Sequence, residues 1–392
     1  MSKKSVEEIL FDLIRIDSSV NEFEISNYII KFLKKRTDFK IETQIVEDNR
    51  VNVIASKGNP KLVLAGHTDT VGFTINEWKK EGLHPLKPVE KEGKVFGRGA
   101  VDMKAGLAVM LKIAEEFKGN DLMLLFDVDE ETNFKGIKKF VDEYKNKSDF
   151  NPELFVFLEP TNLTISNKHK GLYECRYLIR GKSEHSSRPN LGNNPAKLLL
   201  DLFNLENEML RKEFYDSESD LHPTINFGNG QFGLEINNVN SSDKSLCLYD
   251  RDKLNSVPNI FEFCFDIRTT KQFEDNNGIE FVSKFIEDSV SNRCLKIINK
   301  EVVNNKPSLF VSREKLNGIY SIVASVLDNV KFTVFRAGYS EAGIIKDKLC
   351  FDSIIIGPSP LEKAHNTLEF VFVDSLNKTY EIVKKIVLSY CN

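Results

Sequence analysis

An imidazole and a carboxylate follow a short apolar run early in the chain. The run starts at Leu62 and is typical of a buried strand; His67 ends it and Asp69 comes two residues later. Open α/β folds keep their active sites at the carboxyl edge of the sheet, and an imidazole oriented by a carboxylate is a common metal ligand. The pattern predicts a metal site at this edge, although such a pair also occurs as a simple hydrogen-bonded loop.

Further acidic and imidazole residues stand where other predicted elements begin or end. They are Asp102 before a helix, Glu130 and Glu131 after the run from Asp121 to Asp127, Glu159 after an apolar run, and His365 after a strand near the C-terminus. Two imidazoles and several carboxylates without a thiolate suit zinc or another divalent metal. A shared carboxylate can bridge two ions about 3.5 to 4 Å apart, so the set predicts a two-metal hydrolase site.

Each of these residues also has an ordinary structural explanation. Asp102 could cap a helix, Glu130 and Glu131 could form a solvated acidic turn, and Glu159 could end a strand at the surface. Their joint placement at strand ends is what favours the metal site. The glycines near Asp102 do not indicate a nucleotide site, because no G-x-G-x-x-G or G-K-[ST] motif opens a helix.

The elements that must position these residues predict two domains. Helical and strand patterns alternate early in the chain and again at its end, which indicates an α/β fold with a central, mostly parallel sheet flanked by helices. Between them, the order strand, helix, strand, strand, helix, strand indicates an inserted ferredoxin-like α+β domain. We therefore expect a catalytic domain formed by residues 1–170 and 305–392, with an inserted domain of residues 171–304.

Composition narrows the class of protein. The 392 residues are 41% hydrophobic and carry a formal net charge of -4, which favours neither nucleic acid nor an anionic membrane as a partner. The N-terminus has acidic residues where a secretory signal would be apolar, and no stretch has the length of a membrane span. Six scattered cysteines indicate neither a disulfide framework nor a thiolate zinc site. The sequence predicts a soluble, cytoplasmic protein.

Six sequence blocks resemble, in order and spacing, the motifs of the zinc-dependent aminoacylase and carboxypeptidase family. That family includes acetylornithine deacetylase, succinyl-diaminopimelate desuccinylase, cytosolic dipeptidases and glutamate carboxypeptidase. The blocks are G-H-T-D-T-V, G-R-G-A-V-D-M-K-A-G, D-E-E, L-E-P-T, G-K-S-E-H-S-S-R-P-N-L-G-N-N-P-A, and G-P with A-H-N-T-L-E-F. The resemblance covers nearly the whole chain. It implies two divalent metal ions, zinc or cobalt, and an inserted domain that acts as a lid and as the surface of a homodimer.

The resemblance also implies roles for single residues. The metal ligands would be His67, Asp102, Glu131, Glu159 and His365, with Asp102 bridging the two ions. Glu130 would be the general base that takes a proton from water and delivers it to the departing amine. Asp69 would fix the tautomer of His67 by accepting its second ring N–H.

Substrate contacts are implied in both domains. His185 would polarise the scissile carbonyl, often in the centre of a partner subunit, while Asn255 and Arg268 would grip the substrate carboxylate. From the residues alone, His185 is interpreted as a turn histidine, and Arg268 could equally be a surface strand residue. Glu341 would bind a side-chain amine of the substrate, or only order its own loop.

The implied reaction is the hydrolysis of a linear amide. N-K-H-K-G-L-Y, P-T-I-N-F-G and Y-S-E-A-G resemble acetylornithine deacetylases, which implies removal of the acyl group from an N-acyl amino acid, first of all N-acetylornithine, giving ornithine and acetate. Succinyl-diaminopimelate desuccinylase and a metallo-dipeptidase or carboxypeptidase are the alternatives within the family. G-P-S-P, where the family has G-P-G, leaves the acyl acceptor open. A degenerate relative that binds a ligand without catalysis is the non-enzyme alternative.

Overall fold

The computed structural model describes residues 2–211, 214, 221–235, 249–250, 254–335 and 339–391. The chain divides into two compact units, one of Met1–His169 with Leu309–Asn392 and one of Lys170–Ser308. The boundary expected at 304/305 falls inside the last strand of the second unit. That strand continues to Lys306 because Lys306 still pairs with Leu172 of its neighbour.

The helices and strands follow one another in three segments. The first segment has α1 Val6–Ile14, α2 Phe23–Arg36, β1 Lys40–Glu47, β2 Arg50–Lys57, β3 Leu62–His67, α3 Ile75–Lys80, β4 Val89–Lys91, β5 Lys94–Phe96, α4 Lys104–Glu116, β6 Leu122–Asp127, α5 Lys135–Tyr144, β7 Leu154–Phe157 and β8 Ile165–His169. The second has β9 Leu172–Arg180, α6 Leu199–Arg211, β10 Thr224–Glu235, β11 Tyr249–Asp250, β12 Ile260–Arg268, α7 Lys271–Asp275, α8 Gly278–Asn292 and β13 Lys296–Lys306. The third has β14 Leu309–Phe310, α9 Asn317–Ala324, β15 Phe332–Val334, α10 Glu341–Leu349, β16 Ser353–Ile355, β17 Phe370–Phe372 and α11 Val373–Tyr390. Among the described residues, no helix is both long and apolar enough to cross a bilayer.

The first unit is built around a sheet with the strand order β1-β2-β6-β3-β7-β16-β8-β14, and β15 also pairs with β8. At its centre, β3 runs parallel to β6 and β7, and β7 runs parallel to β16. The pairs β1–β2, β2–β6 and β8–β14 are antiparallel. The predicted mostly parallel central sheet is confirmed, and its antiparallel strands lie towards the edges.

The strands that lead to the predicted site are buried on both faces. Every residue of β3, β6 and β7 is buried, which explains why their sequences are continuous apolar runs and do not alternate. Helix α4 is buried almost throughout and packs closely, because a side chain at Gly106 would collide with the carbonyl oxygen of Leu158. This close packing holds the loop before α4 beside the end of β7.

The second unit contains an antiparallel sheet with the order β11-β10-β12-β9-β13. Taken in chain order, β9, β10, β12 and β13 are the four strands of the predicted split β-α-β unit, with α6 and α8 as its helices. Leu202 and Leu205 of α6 and Ile286 of α8 join Tyr177 and Phe263 of the sheet in one buried cluster. The predicted inserted α+β fold is confirmed.

Candidate metal centre

The predicted metal ligands all lie in the first unit, at or just beyond the carboxyl ends of its strands or before α4. His67 is the last residue of β3, Glu131 lies in the turn after β6, Glu159 follows β7, Asp102 precedes α4, and His365 lies in the loop after β16. The carboxyl ends of parallel strands meet at the same edge of a sheet. Residues far apart in sequence therefore reach a common place.

Three of these side chains form a buried group, called here the buried triplet: His67, Asp102 and Glu159. The Nε2 atom of His67 lies 3.0 Å from Oδ1 of Asp102 and 3.4 Å from Oε1 of Glu159. Their exposed fractions are 1%, 9% and 5%. One ligand atom from each lies within 4.8 Å of the others, so a single cation could contact all three.

A second group, called here the outer triplet, consists of Asp102, Glu131 and His365. The Nε2 atom of His365 lies 3.2 Å from Oδ2 of Asp102 and 3.1 Å from Oε1 of Glu131. The His365 side chain is 53% exposed, and its backbone has a φ of 59°. Asp102 thus offers one oxygen to each triplet, which is the arrangement of a carboxylate that bridges two ions.

Asp69 connects the end of β3 to the turn that carries the two glutamates. Its carboxylate accepts hydrogen bonds from the backbone N–H groups of Glu130 (3.2 Å) and Glu131 (3.0 Å). Its backbone carbonyl oxygen lies 3.1 Å from Nδ1 of His67, whereas its carboxylate lies 3.5 Å from that atom. Both the carbonyl and, at the longer distance, the carboxylate expected for this task face Nδ1, so a proton on Nδ1 leaves Nε2 available to a metal.

Glu369, in the block A-H-N-T-L-E-F, is a further residue of the site, and nothing in the sequence indicates its role. Its buried carboxylate accepts hydrogen bonds from the backbone N–H groups of Gly99, Val101 and Asp102 at 2.9 to 3.1 Å. It also pairs with the guanidinium of Arg98 at 2.6 Å. Glu369 therefore holds the loop that presents Asp102, the residue common to both triplets.

The electrostatics of the centre favour cations. Burial alone would lower the pKa of His67, but the charge of Glu159 and a hydrogen bond to Asp102 raise it well above its usual value. Hydrogen bonds to Asp102 and Glu131 raise the pKa of His365 to about 10. Burial raises the pKa of Glu130 to about 8 and raises that of Glu159 well above normal. Crowded, buried carboxylates gain from added positive charge, so these nitrogen and oxygen donors fit a pair of divalent cations.

Glu341 lies at the start of α10 and is only 1% exposed. Burial raises its pKa well above normal, and the charge of Asp127 adds to the effect. Asp127 is the residue of β6 in register with His67, and burial raises its pKa to about 7. A substrate amine could reach Glu341 only if the residues that cover it moved.

The other predicted substrate contacts belong to the second unit. His185 is exposed, and its Nδ1 accepts a hydrogen bond from the backbone N–H of Ser187 at 3.2 Å. Nδ1 also lies 2.8 Å from Oγ of Ser187, and in the tautomer whose Nδ1 accepts both bonds a neutral His185 carries its proton on Nε2, which makes that atom a hydrogen-bond donor. Asn255 is exposed, and its backbone carbonyl oxygen accepts a hydrogen bond from the backbone N–H of Ser186. The Nε atom of Arg268 lies 3.4 Å from a carboxylate oxygen of Asp266.

Comparison with known proteins defines the class. The model of Peptidase family M20/M25/M40 matches residues 63–389, and the chain belongs to this family of metal-dependent hydrolases. A probable succinyl-diaminopimelate desuccinylase of Staphylococcus aureus is 30% identical, with 99% of this chain and 98% of that protein aligned. An acetylornithine deacetylase of Buchnera aphidicola is 25% identical, with 98% and 97% aligned.

A solved structure supports the fold. A Bacillus subtilis protein described as a dinuclear metal-binding peptidase of the M20 family has a TM-score of 0.68 and 14% identity, with 98% of each chain covered. The family and fold expected from the sequence are confirmed. The relatives carry both deacetylase and desuccinylase names, so the comparisons define the class of hydrolase and leave its substrate open.

Proposed function

We propose that the protein is a two-metal amidohydrolase that removes the acyl group from an N-acyl amino acid. The observation that carries this proposal is the position of Asp102, whose two carboxylate oxygens lie 3.0 Å from His67 Nε2 and 3.2 Å from His365 Nε2. The Nε2 atoms of His67 and His365 are the two imidazole donors, and Glu159 and Glu131 complete the two triplets. Zinc is the cation proposed for both positions, with cobalt as a substitute. Such cations polarise a carbonyl and make water more acidic.

Glu130 is the proposed general base. It belongs to neither triplet, yet the backbone N–H groups of both Glu130 and Glu131 are bound by Asp69. The carboxylate of Glu131 supplies an oxygen to the outer triplet, which leaves the neighbouring carboxylate of Glu130 to face the attacking water. A carboxylate oxygen of Glu130 would take a proton from that water and give it to the departing amine nitrogen.

The second unit is proposed to complete the substrate site as a lid. The Nε2–H of a neutral His185 is suited to donate to the oxygen of the scissile carbonyl as negative charge develops there. The guanidinium of Arg268, with Asn255, would bind the substrate carboxylate, since it offers paired donors to two oxygens. Conversion of His185 to Ala should therefore lower kcat more than it raises KM.

A homodimer formed through the second unit is part of the proposal. Among the described residues, β13 pairs with a neighbour on one side only, and Val302 and Val303 on it are each 49% exposed. An exposed apolar edge strand favours pairing with another strand. Sedimentation analysis should show a dimer, and introduction of Val303→Lys should shift it to monomer.

N-acetylornithine is the substrate proposed first, because the sequence blocks around 167–173 and 339–343 resemble those of acetylornithine deacetylases. N-succinyl-diaminopimelate is the second candidate, because the 30% identical relative that aligns over nearly its whole length carries that name. A dipeptide is the third, since the solved relative is described as a peptidase.

A substrate panel tests the proposal. Zinc- or cobalt-loaded protein should release free amine from N-acetylornithine with a higher kcat/KM than from N-succinyl-diaminopimelate or dipeptides. Glu130→Gln should bind the same amount of metal and lose about 10²- to 10⁴-fold in kcat. If the succinylated substrate is cleaved fastest, the choice of acyl group is wrong. If no amide is cleaved, or Glu130→Gln retains full turnover, the proposed function is wrong.

A further inference from the structure

The connection between α1 and α2, residues 15–22, contacts three segments near the metal centre: the start of α4, the segment that follows Asp69, and the glutamate turn. The carbonyl oxygen of Ile16 accepts from Nζ of Lys104 at 2.7 Å, just after the Asp102 loop. The carbonyl oxygen of Ser18 accepts from the N–H of Thr70 at 3.2 Å, just after Asp69. This connection is therefore placed to keep separate loops in register.

The third contact is an ion-pair network of Glu22, Arg50 and Asp129. The guanidinium of Arg50 binds both oxygens of Glu22, with Nε at 2.7 Å and Nη2 at 2.5 Å. Its Nη1 binds Oδ1 of Asp129 at 2.7 Å, and Glu22 also accepts from the backbone N–H of Asp129 at 3.2 Å. Glu22 and Asp129 are each 1% exposed, so water does not replace these bonds. Their contribution therefore depends on how well the donors and acceptors are aligned.

Asp129 in turn fixes the turn that carries Glu130 and Glu131. It has a φ of 70°, in the left-handed region that favours glycine and that aspartate tolerates. Its carboxylate accepts from Oγ1 of Thr132 at 2.7 Å and from the N–H of Lys135 at 3.3 Å. Asp69 holds the next two backbone N–H groups from the other side. The turn is clamped between Asp69 and the Arg50 network.

We propose that Glu22 and Arg50 are positioning residues for the Glu130–Glu131 turn. They fix Asp129, and through it the direction of the general base and of one ligand of the outer triplet. Both precede residue 63, where the match to the family model begins. For catalysis the inference rests on the proposed function; for metal binding it stands on the ligand geometry alone.

The test compares Arg50→Met with Arg36→Met. Arg36 pairs with buried Glu115 between the last turns of α2 and α4, so its loss removes a comparable ion pair that touches none of the ligand loops. Both variants should melt at a lower temperature. Arg50→Met should lower kcat by about 10- to 100-fold with little change in KM, whereas Arg36→Met should stay within about twofold of the parent in both.

Titration with Zn²⁺ alone supplies a readout that needs no substrate. Arg50→Met should retain the tighter ion and bind the second about 10- to 100-fold more weakly, because Glu131 is displaced while His67 and Glu159 are not. If the parent protein cleaves no substrate, the proposed function fails but this titration still decides the positioning role. If Arg50→Met binds zinc at each of the two positions with the same affinity as the parent protein, the positioning role is wrong.

Milder variants keep the test decisive if Arg50→Met does not fold. Arg50→Lys keeps the charge but cannot bind Glu22 and Asp129 with paired donors, and Glu22→Gln keeps the shape but removes one charge. Each variant should lower the affinity for the second zinc ion by about tenfold, and kcat should fall in proportion. A folded Arg50→Lys or Glu22→Gln with unchanged kcat and unchanged zinc binding would assign the network to stability alone.

Discussion

The buried triplet and the outer triplet share Asp102 but differ in what holds them. His67 ends a fully buried strand and Glu159 follows another, so the central sheet fixes the buried triplet. Glu131 lies in a turn and His365 in a loop with a 53% exposed side chain, so hydrogen bonds between loops hold the outer triplet. Because preorganised ligands bind more tightly, we expect the ion of the buried triplet to be the tighter one.

Loss of the shared ligand should have the largest effect, because it removes a donor from both triplets. Asp102→Ala should bind neither ion firmly and should retain no more than about a thousandth of the turnover. The exposed Asp149→Ala is the matched control and should behave as the parent. Metal content after dialysis and kcat measure the outcome; full occupancy of either position in Asp102→Ala would show that the triplets are independent.

Removal of one unshared ligand from each triplet should separate the two positions. Glu159→Gln should lower the affinity for the tighter ion by about 100-fold. Glu131→Gln should lower only the affinity for the second ion, also by about 100-fold. Zinc titration calorimetry on both variants measures this. The comparison fails if both variants lose the same ion, or if Glu131→Gln loses the tighter one.

The pH dependence of metal binding should sharpen the comparison at the outer triplet. His365 has a pKa of about 10 because of its hydrogen bonds to Asp102 and Glu131, and a cation must displace that proton from Nε2. Since protons compete below the pKa, apparent affinity for the second ion should rise about tenfold per pH unit from neutral pH and level off near pH 10. Calorimetry in buffers of different ionisation enthalpy should detect proton release on binding. Affinity that is constant over this range would contradict the assignment of His365.

A smaller effect is expected from Glu369→Gln, which leaves all ligands in place. The amide keeps only one acceptor oxygen, its NH2 group faces N–H donors, and the charge opposite Arg98 is lost, so the Asp102 loop should loosen. The affinity for both ions should fall by about tenfold, since Asp102 belongs to both triplets. Parallel zinc titrations of the parent and Glu369→Gln provide the check. Weakening confined to one position would mean that Glu369 supports only one of the two oxygens of Asp102.

The sequence was sufficient to predict the parts of the site that follow from buried strands. The apolar runs that end near His67, Glu131 and Glu159 are long enough to define β3, β6 and β7, and the residues after them fall at one edge of the sheet. The strand and helix order also predicted the inserted fold. These features depend on local patterns that the chain displays directly.

The residues that orient the ligands could not be predicted in the same way. Arg50 is 28 residues from Glu22 and 79 from Asp129, and Glu369 is 267 residues from the backbone it binds at Asp102. No periodic pattern connects such pairs, because each partner is an ordinary charged residue until the fold brings it into contact. The closer approach of the Asp69 carbonyl, rather than its carboxylate, to His67 is likewise a matter of side-chain direction.

Anomalous diffraction from crystals of the zinc-loaded protein, recorded at the zinc absorption edge, would decide the two-metal assignment. We expect two peaks about 3.5 to 4 Å apart on either side of Asp102. His67 and Glu159 should lie near one peak, and Glu131 and His365 near the other, at about 2.0 to 2.2 Å. A single peak, or peaks that Asp102 does not contact, would contradict it.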